Sequence, residues 1–240
     1  MSKIPWTEKT RNHIVGCSPL SNGCKNCYAK DMFYRQRGMK TNLYKDMKDF
    51  DDVKWDMNIL KDWLKTFKKP SRIFLCSMSD LFHKKVPDVI IEETIEVISK
   101  YSQHTFLLLT KRYERLSGFL WGRDFPKHIN FGISICNNED LKRALDELII
   151  LQDVFISFEP LLEELHHNSL KSLLEDVNWV IVGSEAGNRR RDFNELWALN
   201  ILEAARALDI PFFFKQQFKG KDKIETLNGI EYKELERRKS

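Results

Sequence analysis

The sequence predicts an α/β protein in which helices cover a parallel β-sheet. Short, continuous apolar runs recur along the chain without the alternation of a half-exposed sheet, which indicates strands buried on both faces. Segments with apolar residues at helical spacing separate these runs, and about seven βα units are visible. Polar residues follow strand after strand, and in parallel sheets the carboxyl ends of the strands carry the chemistry.

Length and composition favour a single domain over residues 1–240. The chain has 240 residues, of which 42% are hydrophobic, and is long enough to bury a sizeable core. No run of about 18 apolar residues occurs, and Met1–Trp6 lacks the apolar core of a signal peptide. We therefore expect a cytoplasmic protein with no membrane partner, in which the five cysteines do not form disulfides. Cys76 and Cys136, at predicted strand ends, are expected to pack in the core.

The predicted elements begin with a short strand at Ile14-Val15, which leads into a cysteine-containing loop. A helix from Asn26 to about Arg37 follows, and Gly38 is placed to end it. The later strands are predicted at 72–77, 105–110, 129–135, 154–158, 179–182 and 211–214. The later helices contain the apolar sets 57–67, 91–98, 141–148 and 196–205. Asp192 and Glu195 predict a capping box for the last helix, and residues 218–240 are interpreted as a C-terminal extension.

Cys17, Cys24 and Cys27 place three thiols within eleven residues. Thiolates are the ligands of iron–sulfur clusters and of many zinc sites. Three thiolates leave one coordination position open: a structural zinc would need a fourth protein ligand, whereas a four-iron cluster would keep one iron free for a substrate or cofactor. His13 could complete a Cys3His zinc site, although a lone histidine beside a strand is more often structural.

Charge is unevenly distributed along the chain. The net charge is +4, but residues 1–48 carry +7, so the rest of the chain sums to −3. This basic segment contains the cysteine loop and would attract phosphate-bearing partners. A solvated basic surface is the alternative.

A set of polar residues follows the predicted strands, and its repetition favours a pocket lined by both charges. The set is Ser79, Asp80, Thr110, Lys111, Ser134, Glu159, Glu185, Lys215 and Gln216. Glu159 precedes Pro160, which restricts its backbone to extended forms, and we favour a functional role for this carboxylate. The run Arg189–Arg191 follows Gly187 and opens toward a helix, which suits anion binding, with a solvated charge run as the alternative.

Seven segments carry a resemblance to a known family. They are the cysteine loop, Ser-Met-Ser-Asp at 77–80, Leu-Thr-Lys-Arg at 109–112, Phe-Gly-Ile-Ser at 131–134, Ser-Phe-Glu-Pro-Leu at 157–161, Trp-Val-Ile-Val-Gly-Ser-Glu-Ala-Gly at 179–187 and Phe-Phe-Lys-Gln at 213–216. In this order they resemble the phage-type three-Cys-motif family, whose domains of unknown function are similar to radical SAM enzymes. The cysteine spacing is C-x6-C-x2-C where radical SAM enzymes usually have C-x3-C-x2-C, and Ser77–Asp80 stands where those enzymes often carry a glycine-rich stretch.

The resemblance implies a partial (β/α) barrel of about six to seven parallel strands. It implies a [4Fe–4S] cluster on Cys17, Cys24 and Cys27, S-adenosylmethionine at the open iron, and an external electron donor. The catalytic candidates are Glu159, Glu185 and Lys111. The cofactor-binding candidates are Tyr28, Ser77, Ser79, Asp80, Ser134 and Gly183; a serine and an aspartate here could receive an ammonium group. The substrate-binding candidates are Arg112, Arg189, Arg190, Arg191, Lys215 and Gln216.

We therefore expect a radical-SAM-like iron–sulfur enzyme that modifies an anionic substrate, with a nucleotide or nucleic acid favoured by the basic residues. The cofactor would carry out the difficult chemistry, and the protein would position and shield the substrate. The alternative is a zinc-stabilised nucleic-acid-binding module without catalysis. Colour separates the two, because an iron–sulfur protein purified without oxygen is brown and a zinc protein is colourless.

Overall fold

The computed structural model describes residues 4–38, 43–147 and 153–236, and in them it confirms an α/β fold. The strands are β1 (Lys9–Arg11), β2 (Ile14–Val15), β3 (Lys54–Trp55), β4 (Arg72–Leu75), β5 (Thr105–Thr110), β6 (Ile129–Ser134), β7 (Val154–Phe158), β8 (Val177–Gly183), β9 (Phe212–Lys219), β10 (Asp222–Ile224), β11 (Thr226–Leu227) and β12 (Ile230–Glu231). The helices are α1 (Tyr28–Gly38), α2 (Met57–Thr66), α3 (Asp88–Ser99), α4 (Tyr113–Leu120), α5 (Asn138–Asp146), α6 (His167–Leu174) and α7 (Glu195–Ala207).

Eight strands form one sheet in the order β1-β4-β5-β6-β7-β8-β9-β10. The pairs β1/β4, β4/β5, β6/β7, β7/β8 and β8/β9 are parallel, and β10 folds back antiparallel to β9. The order never reverses, unlike that of a doubly wound sheet. In the described part of the chain β1 and β10 do not pair, so the sheet does not close into a barrel there. The mostly parallel sheet predicted from the sequence is confirmed.

The strand predicted at Ile14-Val15 is confirmed, but the prediction that it is the first strand was wrong, because β1 precedes it and begins the eight-stranded sheet. Ile14-Val15 forms β2, which pairs antiparallel with β3 in a separate two-stranded sheet. The sequence hides β1 because its residues are Lys-Thr-Arg rather than an apolar run. Its cations cover aromatic rings instead: Lys9 lies over Phe67, and Arg11 lies over Trp63. Aliphatic stems of such residues can cover apolar surface, so a polar edge strand needs no hydrophobic pattern.

The chain divides by its internal contacts into two compact units, and the division falls inside β6. The first unit comprises residues 1–19, 27–112 and 124–131, and the second comprises 20–26, 113–123 and 132–240. Cys17 and Cys27 therefore belong to the first unit, and Cys24 belongs to the second.

One face of the sheet in the second unit carries a row of aromatic rings. The ring centroids of Phe155 and Trp179 are 5.8 Å apart, and those of Trp179 and Phe213 are 6.3 Å apart. Gly132 pairs with Phe155 across the sheet, and a Cβ atom at Gly132 would lie 2.4 Å from the Phe155 ring. Glycine is therefore required where β6 passes this ring. Because side chains alternate along a strand, Ser157 faces the same side as Phe155, further toward the carboxyl end.

Three smaller predictions about the elements have different outcomes. The predicted cap of α7 was wrong, because Asn194, and not Asp192, caps the helix by accepting a hydrogen bond from the Leu196 N–H at 3.0 Å. Glu195 is the first helical residue, too early for a capping box, and it accepts hydrogen bonds from Gln217 and Asn228 instead. Leu148, the last residue of the predicted helical set 141–148, lies outside the described residues. The extension predicted from residue 218 begins inside β9, and residues 237–240 of it also lie outside.

No helix within the described residues combines the length and the apolar character needed to cross a membrane.

Candidate functional site

The five cysteines occupy two kinds of environment. Cys17, Cys24 and Cys27 are half-buried, whereas Cys76 and Cys136 are buried and have no disulfide partner. Burial raises the pKa of the Cys76 thiol to about 12. The prediction that Cys76 and Cys136 are core residues is confirmed. In residues 4–38, 43–147 and 153–236, no group of three or more His, Cys, Asp or Glu side chains is arranged to hold a metal ion.

An apolar cluster of the first unit supports two of the loop cysteines. Cys17 and Cys27 pack against it from outside. The cluster consists of Val15, Ala29, Phe33, Tyr44, Met47, Phe50 and Met78. Phe33 and Ala29 come from α1, so the helix that follows the last cysteine is held by the same core that holds the strand before the first cysteine. Both ends of the loop therefore start from fixed backbone.

The guanidinium of Arg112 joins Asp80 to the residues around Cys17. Its Nη1 lies 2.8 Å from Asp80 Oδ2, and its Nη2 donates to the carbonyl oxygen of Ser18 at 3.1 Å. Burial disfavours the charged guanidinium, but the charges of Asp80 and Cys17 and their hydrogen bonds to it outweigh burial, so the pKa of Arg112 is raised. A fixed positive charge beside the Cys17 sulfur favours its thiolate, the form that binds metals.

The carboxylate of Asp80 accepts several hydrogen bonds within the first unit. Both of its oxygens accept from the Thr110 hydroxyl, at 2.7 and 2.8 Å, and Oδ1 accepts the Phe82 N–H at 2.9 Å. Together with Arg112, these donors satisfy a carboxylate that is only 6% exposed. A cofactor ammonium bound to Asp80, as predicted, would have to share the carboxylate with these donors. In the structure Asp80 anchors the end of β5 to the segment after β4.

The other predicted cofactor residues of the first unit also have internal partners. The Tyr28 hydroxyl donates to the carbonyl oxygen of Ser77 at 2.7 Å. The Ser77 hydroxyl donates to the side chain of Asn12 at 3.1 Å, and the Ser79 hydroxyl donates to the carbonyl oxygen of Ile14 at 2.9 Å. The structure thus brings Tyr28 and Ser77 together and ties Ser79 to the residues before the cysteine loop.

His83 is a site residue that the sequence analysis did not single out. It is fully buried, and its Nε2 lies 2.7 Å from the hydroxyl and 3.2 Å from the amide nitrogen of Ser18, the residue after Cys17. Its Nε2 accepts the backbone N–H of Ser18, and the backbone N–H of Lys85 is directed at its Nδ1 at 3.1 Å. Burial, with the charge of Arg112, lowers the pKa of His83 to about 4. These contacts hold the backbone that follows Cys17, so His83 orients the cysteine loop.

Glu185 and Arg191 form a buried ion pair at the end of β8. Arg191 Nε lies 2.9 Å from Glu185 Oε2, and its Nη2 lies 2.5 Å from Oε1, which is the two-point geometry that arginine favours with carboxylates. Burial opposes ionisation of Glu185, but the hydrogen bonds from Arg191 and Asn26 outweigh it, so the pKa of Glu185 is lowered. Glu185 is therefore an ionised anchor in the second unit.

Asn22 and Asn26 connect the loop around Cys24 to this ion pair. Asn26 Nδ2 donates to Glu185 at 3.0 Å and to the carbonyl oxygen of Arg189 at 2.7 Å. Arg191 Nη1 donates to the side chain of Asn22 at 2.8 Å and to its carbonyl oxygen at 3.1 Å. We call Glu185, Arg191, Asn22 and Asn26 the loop clamp. Its sequence signal is a pair of asparagines on either side of Cys24, which side-chain amides suit because they both donate and accept.

Gly23 fixes the same loop by close approach. A Cβ atom at Gly23 would lie 2.3 Å from the sulfur and 2.9 Å from the Cβ of Cys136. Cys136 is held in turn, since its N–H donates to Asp140 at 3.1 Å. The backbone beside Cys24 therefore lies directly on a buried thiol, which leaves no room for any residue other than glycine.

Lys215 reaches across β8 to Glu159. The two side chains form an ion pair, with side-chain exposures of 11% and 16%. Between them lies Gly183, where an added Cβ would be 3.3 Å from the Lys215 Cβ. The Ser134 hydroxyl donates to the carbonyl oxygen of Glu159 at 3.0 Å. The structure thus brings four predicted residues together at the carboxyl ends of β6 to β9, and it shows that Gly183 leaves space for the lysine stem.

The remaining predicted cations also have partners. Arg190 donates to the carbonyl oxygens of Gly187 and Gly220, and its guanidinium lies 4.3 Å from the ring centroid of Phe218. The N–H of Lys111 donates to Asp80 at 3.4 Å. Gln216 is buried, and its carbonyl oxygen accepts the N–H of Ser184 at 2.9 Å. Three other candidate cations pair with carboxylates: Arg112 with Asp80, Arg191 with Glu185, and Lys215 with Glu159.

His13, the possible fourth zinc ligand, is a core residue. Its Nε2 lies 3.0 Å from the Thr94 hydroxyl, which donates to the carbonyl oxygen of Ile90 and so accepts from the ring. Its Nδ1 lies 4.0 Å from the Cys76 sulfur. Burial, with the charge of Arg11, lowers the pKa of His13 to about 3. These contacts match the structural interpretation of this histidine.

The fold and the site define a mixed α/β protein whose mostly parallel sheet ends in paired charges and in a clamped cysteine loop. The chain belongs to the family described as protein of unknown function (DUF5131), whose model matches residues 1–238. No curated protein and no solved structure matches the chain.

Proposed function

We propose that the chain is a radical-SAM-like iron–sulfur enzyme that acts on a nucleotide or nucleic acid. Cys17, Cys24 and Cys27 would hold a [4Fe–4S] cluster, and S-adenosylmethionine would be the cosubstrate. The observation that carries the proposal is the division of the thiols: the three motif cysteines are half-buried, whereas the other two are buried. A thiol that binds a metal must be reachable as a thiolate, and a core thiol is inert.

The donor set suits a thiolate-bound metal. The Cys17 sulfur has the guanidinium of Arg112 beside it, and the loop around Cys24 is held by the loop clamp. The three thiols form no ready-made ligand group in the described residues. We therefore propose that the ligand set is completed only when the metal binds, since metal binding and local folding are commonly coupled.

When bound, a cluster with one open iron supplies the electron that cleaves S-adenosylmethionine reductively, and an external donor replaces that electron. The residues of this chain would position and shield. Arg112 and His83 hold the backbone that follows Cys17. The Lys215–Glu159 pair lies at the strand ends with little exposure to water, where charged groups act more strongly than in solution.

The basic segment, residues 1–48, would attract an anionic substrate. Three cations elsewhere in the chain are already paired with carboxylates: Arg112 with Asp80, Arg191 with Glu185, and Lys215 with Glu159. α1 offers exposed Arg35 and Arg37, together with the exposed aromatic rings of Tyr28 and Tyr34. Cations and aromatic rings on one helix suit phosphates and bases. We propose that α1 is the helix that meets the substrate.

Iron content tests the cluster. Protein purified without oxygen should be brown, and each of Cys17→Ala, Cys24→Ala and Cys27→Ala should lose most of its iron and acid-labile sulfide. Cys76→Ala and Cys136→Ala are the matched controls and should keep wild-type iron. Wild-type iron in any of the first three variants would remove that residue from the ligand set. A colourless protein with one zinc would replace this proposal with a zinc-stabilised nucleic-acid-binding module.

Cofactor cleavage tests the reaction class. Reduced, reconstituted protein should convert S-adenosylmethionine to 5′-deoxyadenosine slowly without a substrate. If the intact cluster neither binds nor cleaves the cofactor, the radical reaction is ruled out and electron transfer or a structural role takes its place.

Salt dependence tests the substrate class. Single-stranded and duplex DNA and RNA should bind more weakly as salt rises, and Arg35→Ala should make the slope of log affinity against log salt shallower by about one. Lys171→Ala, an exposed lysine of α6, is the control and should leave the slope unchanged. Affinity that does not change with salt would exclude a phosphate polymer.

A further inference from the structure

A second basic surface of the first unit lies where α2 ends. Lys9 of β1 places its ammonium group 5.5 Å from the ring centroid of Phe67, the residue at which the helix terminates. Lys68 and Lys69 follow Phe67 directly in the chain, and both are exposed. We call Lys9, Lys68 and Lys69 the lysine patch. Only Lys9 belongs to the basic segment 1–48.

The lysine patch is not neutralised by acidic side chains. Among the residues that the structure describes, none of its three ammonium groups forms an ion pair. The two lysines inside α2 differ, because each of them has a carboxylate partner. Cations without an internal countercharge attract anions from solution, so the patch suits a negatively charged partner.

The backbone that carries Lys68 and Lys69 is held on both sides. The carbonyl oxygen of Phe67 accepts a hydrogen bond from Nε2 of His104 at 3.2 Å, and the two rings stack with their centroids 5.4 Å apart. The carbonyl oxygen of Lys69 accepts from the Ser71 hydroxyl at 3.1 Å. Both lysines therefore extend from a fixed segment, which lowers the entropy that a bound partner would cost.

The lysine patch and the cysteine loop lie at opposite ends of the strands in the first unit. Lys9 is the Cα partner of Ile73, near the start of β4, whereas Gly16, the residue before Cys17, pairs with Ser79 after β4 has ended. The neighbouring β5 has six residues and is therefore about 20 Å long. With one phosphate per 3.4 Å of each strand, that length corresponds to about six nucleotides of a duplex. A single nucleotide is too short to reach both places.

We infer that the lysine patch binds the phosphate backbone of a nucleic acid polymer whose reacting nucleotide lies at the cysteine loop. Lysine contacts phosphate as a point charge, and such contacts position the polymer without reading its sequence. The inference rests on the proposed nucleotide or nucleic acid substrate and narrows it to a polymer. It needs no metal.

Binding of polymers to the metal-free full-length chain tests this inference. The probes are single-stranded and duplex DNA and RNA of about 20 nucleotides, which exceed the strand length several times. Lys68→Gln with Lys69→Gln should make the slope of log affinity against log salt shallower by about two. The deficit in affinity should therefore shrink roughly tenfold between about 50 and about 200 mM salt. Lys68→Arg with Lys69→Arg keeps both charges and should bind as the wild type does.

Two controls separate the patch from general charge and from the reacting site. Lys142→Gln with Lys171→Gln removes two exposed lysines, from α5 and α6, and should leave the slope unchanged. Adenosine and uridine monophosphate should bind equally to the wild type and to Lys68→Gln with Lys69→Gln, because one nucleotide does not reach the patch. Equal losses for monophosphates and polymers in that variant would overturn the inference.

The remaining outcomes distinguish this inference from the proposed function. A wild-type slope in Lys68→Gln with Lys69→Gln, beside salt-dependent binding by the wild type, would overturn the inference and leave the nucleic acid substrate standing. If no polymer binds even at low salt, both are overturned. Phosphatidylserine vesicles serve as a third probe. Binding of these vesicles but of no nucleic acid, lost in the same variant, would overturn the inference in favour of an anionic lipid surface.

Discussion

Arg191 binds the carboxylate of Glu185 at two points and also donates its own backbone N–H to it, at 2.9 Å. The two residues are six positions apart, so the pair closes a short segment after β8 on itself. Through Asn22 and Asn26 the same pair holds the loop around Cys24. Both residues therefore have a structural function, and their roles in catalysis and substrate binding remain predictions.

Arg191→Ala should destabilise the protein more than Glu185→Gln does. Glu185 has 4% side-chain exposure against 27% for Arg191, so removing the arginine leaves a buried charge without its partner. We expect a loss of about 3 kcal/mol for Arg191→Ala and about 1 kcal/mol for Glu185→Gln. Urea unfolding measures both. The double variant Arg191→Ala with Glu185→Gln should be more stable than Arg191→Ala alone, and the opposite order would show that the pair does not act as a buried ion pair.

His13 should make the protein lose stability in mild acid. Its pKa is about 3 in the folded chain against 6.5 for a free histidine, so the unfolded chain binds the extra proton between these values. The stability held by the neutral ring is thus complete above pH 6.5 and falls by about 1.4 kcal/mol per pH unit below it. His13→Gln keeps a donor for Thr94 and removes this titration. Its loss of stability between about pH 7 and about pH 5 should be about 2 kcal/mol smaller than that of the wild type; an equal loss would assign the acid sensitivity elsewhere.

Gly23→Ala should displace the loop beside Cys24. The added Cβ would lie 2.3 Å from the Cys136 sulfur, so backbone or thiol must move, and we expect a loss of about 2 kcal/mol. Adding Cys136→Ala removes the sulfur and should recover part of this loss. Gly118→Ala is the control, because a Cβ at that helical position meets no heavy atom within 4 Å. If Gly23→Ala is as stable as Gly118→Ala, the loop does not lie on Cys136.

Thiol labelling should divide the cysteines three to two. In the folded, metal-free protein an aromatic disulfide reagent should react quickly with Cys17, Cys24 and Cys27, which are half-buried. Cys76 and Cys136 should react only after unfolding, because they are buried and burial raises the pKa of Cys76 to about 12. Mass spectrometry of labelled peptides identifies the sites. Fast labelling of Cys136 would contradict its place beneath Gly23.

The sequence predicted the sheet well because burial on both faces leaves a continuous apolar run, as in β5 and β7. It missed β1 because an edge strand carrying Lys9 and Arg11 has no such run. The antiparallel β10 was also missed, since Asp222–Ile224 is largely exposed and contributes no apolar pattern.

The site was predicted less completely than the fold. The sequence indicates which charged residues follow the strands, but pairing depends on register between strands. Lys215 pairs with Glu159, 56 positions earlier, only because β7, β8 and β9 are neighbours and Gly183 lies between. His83 was missed for the same reason: its contact with Ser18 spans 65 positions. Asn22 and Asn26 could have been singled out from the sequence, because they flank the motif cysteine Cys24.

The order of strands in the sheet bears on how the protein is made. From β5 to β10 every strand pairs with the strand synthesised just before it, so each can dock on an existing edge as it leaves the ribosome. β1 is different, because Lys9 must wait for Ile73 before it can pair. Until β4 leaves the ribosome, β1 has no partner strand, and the cysteine loop that follows it is not yet attached to the sheet. If the loop binds a metal as proposed, the metal could be captured at that stage, before Glu185 and Arg191 of the loop clamp have been synthesised.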